Sequence, residues 1–115
     1  MEASITVGPP PRGPAAQDRL LRLGTDDQLV DLYRKGFEEA FDTIDQRYRQ
    51  QMFVYTRQML GYSSADAEDA VQEVLIRASR SLKNDDRQIV LRPWLYRIAH
   101  NYCIDVIRRP AVPLC

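Results

Sequence analysis

Charge of one sign is not in excess in this sequence, because 16 lysines and arginines balance 16 aspartates and glutamates. A global basic excess, the simplest signature of a nucleic-acid-binding protein, is therefore missing. Any nucleic-acid site must depend on where the charges are placed. Lysine is scarce, since only Lys35 and Lys83 contribute to the basic total. Arginine favours forked contacts to phosphate, carboxylate or bases, although a GC-rich genome would produce the same bias.

Histidine and cysteine are too few for the usual metal and disulfide sites. The chain has one histidine, His100, which excludes a multi-histidine metal centre. Its two cysteines, Cys103 and Cys115, do not make a disulfide framework. Cys103 lies in a helical pattern and is expected to be a small buried apolar residue. We predict neither a metal nor a cofactor.

Catalytic and membrane motifs are also missing. The sequence has no glycine-rich phosphate loop and no nucleophile elbow. Glu68, Asp69 and Glu73 lack a Glu-x-x-His motif beside them, so we interpret them as a solvated or partner-binding face and expect no enzymatic activity. No apolar run approaches the roughly 20 residues of a membrane span, and the N-terminus lacks the apolar core of a signal peptide. A cytoplasmic protein without membrane contact is predicted.

Proline and glycine are concentrated near the N-terminus. Residues 8–14 read GPPPRGP, which is incompatible with regular structure. Residues 1–24 are therefore predicted to be a flexible leader, whose end (DRLLRLG) either docks as a helical turn or frays. At the other end, prolines stop the last helical pattern, and residues 110–115 are interpreted as the start of a linker or the end of a fragment.

The intervening residues 25–109 show helical periodicity. Thr25 followed by two aspartates is a helix-start signal, and Gly61 suits a helix stop. Apolar residues three or four apart form one stripe over residues 37–60 and another over residues 67–82. No strand pattern and no internal repeat is present. We predict an all-α domain, a compact bundle of three main helices plus a short leading helix.

The stretch DAEDAVQEVLIRA, residues 66–78, carries one apolar residue away from its buried stripe. Ser63 with Asp66 three residues later resembles a capping box, and the acids of the first turn oppose the helix dipole. Ile76, however, lies about 200° around the helix from Val74 and shares a face with acidic residues. An apolar residue ringed by polar side chains is typical of a docking face, although a lone exposed isoleucine needs no explanation.

The chain after this helix is polar and then basic. Residues 81–91 (SLKNDDRQIVL) lack helical periodicity until their end and are predicted to form a loop. Pro93 fits the first turn of a fourth helix, which runs to about Arg109. This helix holds four arginines against one acid, Asp105, whereas residues 63–76 hold four acids and no base. The neutral total therefore hides two regions of opposite charge.

Each distinctive residue of the fourth helix also has a simpler interpretation. Trp94 could stack on a base or belong to the core. Asp105 could pair with Arg108 or Arg109 within the helix, and His100 could be an ordinary surface residue. The cluster, rather than any one member, indicates contacts with a nucleic-acid backbone and with bases.

The order of these motifs resembles region 2 of a bacterial sigma factor, of the extracytoplasmic-function (ECF) type in the sigma-70 family. AFDTIDQRYRQQMFVYTRQMLG is followed by DAEDAVQEVLIRA, a polar loop and RPWLYRIAHNYCIDVIRR. The resemblance covers roughly residues 27–109. The combination of the second and last motifs at this separation is specific, whereas either one alone would be moderate evidence.

This resemblance implies a transcription initiation factor domain with two binding surfaces. Region 2 docks on the clamp helices of the RNA polymerase beta-prime subunit. It also recognises and melts the promoter −10 element by binding the non-template strand. The polymerase-binding set implied here consists of Asp66, Asp69, Gln72, Glu73, Ile76 and Arg80. In this family the loop after the third helix captures a flipped-out base, which implies a pocket at residues 83–90 formed by Lys83, Asn84, Asp85, Asp86, Arg87 and Gln88. The strand-binding residues implied on the fourth helix are Arg92, Trp94, Arg97, His100, Asn101, Arg108 and Arg109.

Complete sigma factors of this group carry a further helical domain, region 4, which the 115 residues do not include. We therefore expect a fragment that, by itself, binds DNA weakly.

The alternative function is a helical protein-interaction module whose main partner is an anti-sigma factor. A duplex-reading helix-turn-helix protein is disfavoured, because the loop before the last helix is longer than the usual turn.

Overall fold

A computed structural model describes residues 21–109, and this part of the chain forms helices and no strand. Neighbouring helices along the chain pack on one another, with α1 on α2, α2 on α3 and α3 on α4. The predicted all-α bundle of three main helices and a short leading one is confirmed. The bundle consists of α1 (Asp26–Arg34), α2 (Glu38–Met59), α3 (Ser64–Asn84) and α4 (Leu91–Arg108).

Most of the predicted leader, residues 1–20, lies outside the described residues, as does the segment 110–115. The last part of the leader is described, and residues 21–23 are helical. Leu21 packs against the core, and the carbonyl of Arg22 accepts a hydrogen bond from Arg47 at 3.0 Å. The described part of this end is therefore docked, while residues 18–20 lie outside the described residues.

The start of α1 follows from its sequence. The Thr25 hydroxyl accepts from the backbone N–H of Gln28 at 3.1 Å, and the Gln28 side chain accepts from the Thr25 N–H at 2.9 Å. This reciprocal pair is a capping box that satisfies two backbone donors. The predicted N-cap is confirmed.

Glycines end the first two helices. At Gly36, with φ +109°, the N–H of Phe37 bonds to the Leu32 carbonyl at 3.1 Å. At Gly61, with φ +78°, the N–H of Tyr62 bonds to the carbonyl of Arg57 at 2.7 Å. Both are Schellman-type ends, which need a left-handed residue and therefore favour glycine.

The core lies where the apolar stripes of all four helices meet. Ile44 and Met52 of α2, Leu82 of α3 and Leu95 of α4 are completely buried. Thr56 is also completely buried, and the apolar pattern did not predict it. The predicted stripe of α3 is buried throughout and consists of Ala67, Ala70, Val71, Val74, Leu75, Ala78 and Leu82.

A polar network fixes the start of α1 on α2. The Tyr48 hydroxyl donates to one carboxylate oxygen of Asp26, and Arg47 donates to the other at 3.2 Å. Burial, together with the hydrogen bond to Asp26, raises the pKa of Tyr48 to about 12. The tyrosine therefore remains a donor, and α1 is held at its first turn.

The predicted loop starts later than expected, because α3 continues to Asn84. Lys83 and Asn84 belong to its last turn, and the loop between the helices is residues 85–90. Two contacts account for the extension. Leu82 is buried in the core, and its carbonyl accepts from Nε of Arg34 at 3.0 Å. No glycine or proline interrupts the helix before it ends.

Candidate nucleic-acid and polymerase interfaces

The exposed face of α4 is basic. Arg97, Asn101 and Arg108 are four and seven residues apart, so they lie on one face, and all three are exposed. Arg92 and Arg109 are exposed as well. Among residues 21–109, no ion pair joins these arginines to a carboxylate. Their charge is available to a polyanion such as DNA.

Asp105 does not neutralise the end of this face. It is exposed, and within the described part of the chain no salt bridge links it to Arg108 or Arg109. The intrahelical pairing that the three- and four-residue spacing suggested is therefore not formed in this structure.

Trp94 belongs in part to the core and in part to the surface. It is half-buried and packs against the hydrophobic core. It also lines a cleft of about 380 Å³ together with Arg87, Val90 and Arg97. Val90 is 71 % exposed, so the cleft combines open apolar surface with two guanidinium groups. Such a combination suits the flat face of a base and its neighbouring phosphate.

The loop 85–90 is ordered by its own side chains. The Asp85 carboxylate accepts from the backbone N–H of Arg87 at 2.9 Å and from its Nε at 2.7 Å. These bonds, the backbone one first, lower the pKa of Asp85. Arg87 is thereby held on the side of the loop that faces α4, where it lines the cleft with Trp94.

The other side of the loop faces α1 across a second cleft of about 440 Å³. Asp86 and Gln88 are exposed and contribute polar groups to it. Ile89 and Val30 supply apolar walls, and Arg34 closes one side. The predicted base pocket is thus divided into an acidic cleft towards α1 and a basic, aromatic cleft towards α4.

The Lys83 side chain contacts α1 and α2 and not the base pocket that the resemblance implied. Its ammonium group pairs with Glu38 of α2 and lies 4.9 Å from the ring centroid of Tyr33 in α1. The hydrogen bond that Lys83 donates to the Glu38 carboxylate raises the pKa of Lys83. Asn84 is exposed on the same final turn. The structure brings neither residue to the cleft beside α4.

The polar face of α3 is largely open. Asp66, Asp69, Gln72 and Arg80 are exposed. Gln72 accepts a long hydrogen bond, 3.4 Å, from Arg49 of α2. Asp69 and Gln72 line a groove of about 540 Å³ between α2 and α3, to which Arg49, Phe53 and Glu68 also contribute.

Ile76 and Glu73 are less exposed than expected. Both are half-buried, whereas the helical pattern placed them on an exposed face. Ile76 is nevertheless outside the set of apolar side chains that pack against the core. Glu73 is held by Arg77 of the next turn, with Nε at 3.0 Å from the carboxylate. A half-buried apolar residue among charged neighbours remains a suitable anchor for a partner.

Sequence reasoning missed the partners of His100. The hydroxyl of Tyr55 lies 2.8 Å from Nδ1 of His100, and the Tyr55 ring meets Tyr96 edge-on with centroids 5.3 Å apart. The Tyr96 hydroxyl donates to Gln51 at 3.5 Å. Tyr55 falls within the apolar stripe predicted over residues 37–60, and only its polar hydroxyl could have signalled this contact.

Neither a metal centre nor a membrane span is found in residues 21–109. No group of three or more histidine, cysteine, aspartate or glutamate side chains is arranged there to hold a metal ion. None of the helices in that range is long and apolar enough to cross a membrane.

Comparison with known proteins identifies the family. The family model described as sigma-70 region 2 matches residues 44–111, which is more than half of the chain. The chain is 31 % identical over 94 residues to the ECF RNA polymerase sigma factor SigM of Mycobacterium tuberculosis, covering 78 % of this chain and 47 % of that protein. It is 38 % identical over 76 residues to the ECF factor SigW of Bacillus subtilis, covering 66 % and 40 %.

A third relative is the ECF RNA polymerase sigma-E factor of Escherichia coli, which is 34 % identical over 90 residues, covering 75 % of this chain and 46 % of that protein. The chain thus spans less than half the length of these curated relatives. No solved structure gave a significant match. The helical fold, the basic α4 and the family match agree, and the chain belongs to the sigma-70 region 2 family.

Proposed function

We propose that this domain acts in bacterial transcription initiation, binding RNA polymerase core through α3 and the promoter −10 element through α4 and the loop 85–90. The observation that carries the proposal is the separation of charge in a neutral domain. The exposed start of α3 is acidic, whereas α4 and its C-cap residue together carry four exposed arginines, Arg92, Arg97, Arg108 and Arg109. One surface can therefore meet a protein while the other meets DNA. A protein with these partners acts in the cytoplasm.

The −10 element must be opened before its non-template strand can be held. Extruding one base costs a few kcal/mol of unstacking and unpairing. A binding protein offsets this cost by stacking the base and neutralising its phosphates. Trp94, Arg87 and Arg97 line one cleft beside the loop, and these groups are suited to that task. We infer that the strand passes along α4 and places a base at this loop.

The polymerase contact is inferred for the acidic face of α3. Asp69 and Gln72 are exposed beside a groove, and Ile76 offers partly exposed apolar surface nearby. Small interfaces concentrate their binding energy in a few such anchors surrounded by polar groups. The clamp helices of the beta-prime subunit are the proposed partner, by analogy with the family.

The polymerase contact can be tested with a beta-prime clamp-helix fragment and the Ile76→Glu variant. A new charge at the anchor should reduce capture by the fragment at least tenfold, because it must be desolvated on docking. Ser64→Glu, an exposed position in the first turn of the same helix, is the matched control and should bind normally. Circular dichroism checks that both variants fold. Equal capture of a folded Ile76→Glu would rule out this face.

The DNA contact can be tested by comparing single-stranded and duplex −10 oligonucleotides in fluorescence anisotropy. The proposal requires preference for the non-template single strand. A preference for duplex would favour the helix-turn-helix function. Absence of any strand preference, combined with tight binding to an anti-sigma protein, would favour the protein-interaction module.

A further inference from the structure

A polar and aromatic cluster lies along the seam between α2 and α4, beside the basic face. Gln51 and Tyr55 of α2 meet Tyr96 and His100 of α4, with Tyr55 bonded to His100 at 2.8 Å and Tyr96 bonded to Gln51 at 3.5 Å. The Arg92 guanidinium lies 5.8 Å from the centroid of the Tyr96 ring. His100 is exposed and directly precedes Asn101 of the basic face, so the cluster borders that face.

The cation of this seam comes from α4, where Arg92 lies over Tyr96 and where residues 92–104 contain two arginines and no acid. The arginines in the second half of α2 lie or pair elsewhere, since Arg47 pairs with Asp26 and Arg49 with Asp45. What α2 contributes to the seam is the amide of Gln51 and the phenol of Tyr55. Amide, phenol and guanidinium groups without a carboxylate are the kinds of group that contact a phosphate backbone.

We propose that the seam extends the strand-binding surface onto α2, and that Tyr55 is a positioning residue that keeps the imidazole proton of His100 on Nε2. In this state His100 donates Nε2–H to a phosphate oxygen of the −10 strand. The inference rests on the proposed function and adds a residue of α2 to it.

The geometry at His100 supports this assignment. A neutral imidazole has one donor nitrogen and one acceptor nitrogen, and the bond made by one of them fixes the state of the other. Burial raises the pKa of Tyr55, so its hydroxyl keeps its proton and can donate a hydrogen bond to Nδ1. The edge-on contact with Tyr96 at 5.3 Å restrains the Tyr55 ring. His100 is exposed, which leaves Nε2 accessible to a strand.

The tautomer can be read directly, because His100 is the only histidine of the chain. We would record long-range ¹H–¹⁵N spectra of the untagged 115-residue chain at about pH 8, a pH chosen to observe the neutral tautomers. The Nε2–H form should dominate in the wild type and become mixed in Tyr55→Phe. Tyr102→Phe, which removes a hydroxyl from a tyrosine beside Arg77 of α3, should behave as wild type. A dominant Nδ1–H form, or no change in Tyr55→Phe, would overturn the inference.

Strand binding provides the second readout. Tyr55→Phe and His100→Ala should each weaken binding of the single-stranded −10 oligonucleotide by roughly threefold to tenfold, the size of one hydrogen bond. The double variant should lose no more than the single ones, because both remove the same contact. Additive losses would contradict a shared role.

Two amide substitutions separate positioning from packing. His100→Gln places an amide donor near the position of Nε2 and should retain most of the binding, with no further loss when Tyr55→Phe is added. His100→Asn places its amide nearer Nδ1 and should bind as weakly as His100→Ala. If Asn rescues and Gln does not, the assignment of the donor is wrong.

The outcomes also distinguish this inference from the function on which it rests. If the wild type does not bind the single strand, the proposed function fails and this inference fails with it. If the wild type binds but Tyr55→Phe binds equally well, only the role of Tyr55 is wrong.

Discussion

Tyr48 illustrates how one side chain couples the fold to pH. Its hydroxyl donates to Asp26, and its pKa is raised to about 12 from 10.0. A raised pKa in the folded state means that the folded protein holds the proton more tightly than the unfolded chain. The stabilisation is therefore complete below pH 10.0 and is lost as the pH rises towards 12.

Replacing Tyr48 by phenylalanine should lower the free energy of unfolding by about 1.5–3 kcal/mol at neutral pH, the usual size of a hydrogen bond to a charged group. The difference from wild type should shrink as the pH approaches 12. Urea unfolding monitored by circular dichroism at several pH values measures it. Tyr62→Phe, at a tyrosine that is 64 % exposed, should match wild type throughout. A difference in unfolding free energy that does not change with pH would show that the contact with Asp26 is not the source of the stabilisation.

At the scale of the helices, the ends of α2 and α3 are specified in different ways. Gly61 has φ +78°, and an added Cβ would meet no atom within 4 Å. Gly61→Ala should therefore destabilise the protein by about 1–2 kcal/mol through backbone strain alone. Gly61→Asn should cost less, because asparagine tolerates the left-handed region. Thermal unfolding of the two variants gives the comparison, and equal losses would contradict a purely conformational cause.

The end of α3 depends on a contact distant in sequence. Arg34 donates Nε–H to the Leu82 carbonyl at 3.0 Å, just before the loop 85–90 begins. Arg34→Met keeps an apolar stem but removes the donor, so the last turn should fray and its amides should exchange faster. Hydrogen exchange over residues 81–84 measures this. Lys35→Met removes an exposed ion pair with Asp31 and should leave the exchange unchanged; equal acceleration in both variants would exclude the specific contact.

These two helix ends show what the sequence could predict. The stop at Gly61 and the buried stripe of α3 were predictable, because they depend on local backbone preference and on helical period. The extension of α3 through Asn84 was not, since it depends on Arg34 in another helix. The half-buried state of Ile76 and the Tyr55–His100 bond were missed for the same reason, because helical spacing does not reveal tertiary neighbours.

For the whole molecule, the decisive property is how the positive and negative charges are distributed, since the net charge is zero. A neutral protein gains little long-range attraction to DNA, so strand affinity must come from the arginines of α4 that contact phosphates. Each phosphate neutralised on a single strand contributes about 0.7 to the slope of log K against log salt concentration. The four exposed arginines of α4 and its C-cap can therefore produce a clear salt dependence without any net positive charge.

Replacing Arg97 and Arg108 together by glutamine should reduce that slope by about 1.4, as two phosphate contacts are lost. The two side chains lie on one exposed face of α4 and have no carboxylate partner among residues 21–109, so the folded state should be unaffected. Titration of the −10 oligonucleotide at several salt concentrations gives the slope. Arg80→Gln, an exposed arginine of α3, should change it little, because it belongs to the proposed polymerase face. Equal reductions in both variants would show that the whole surface charge, rather than the face of α4, governs binding.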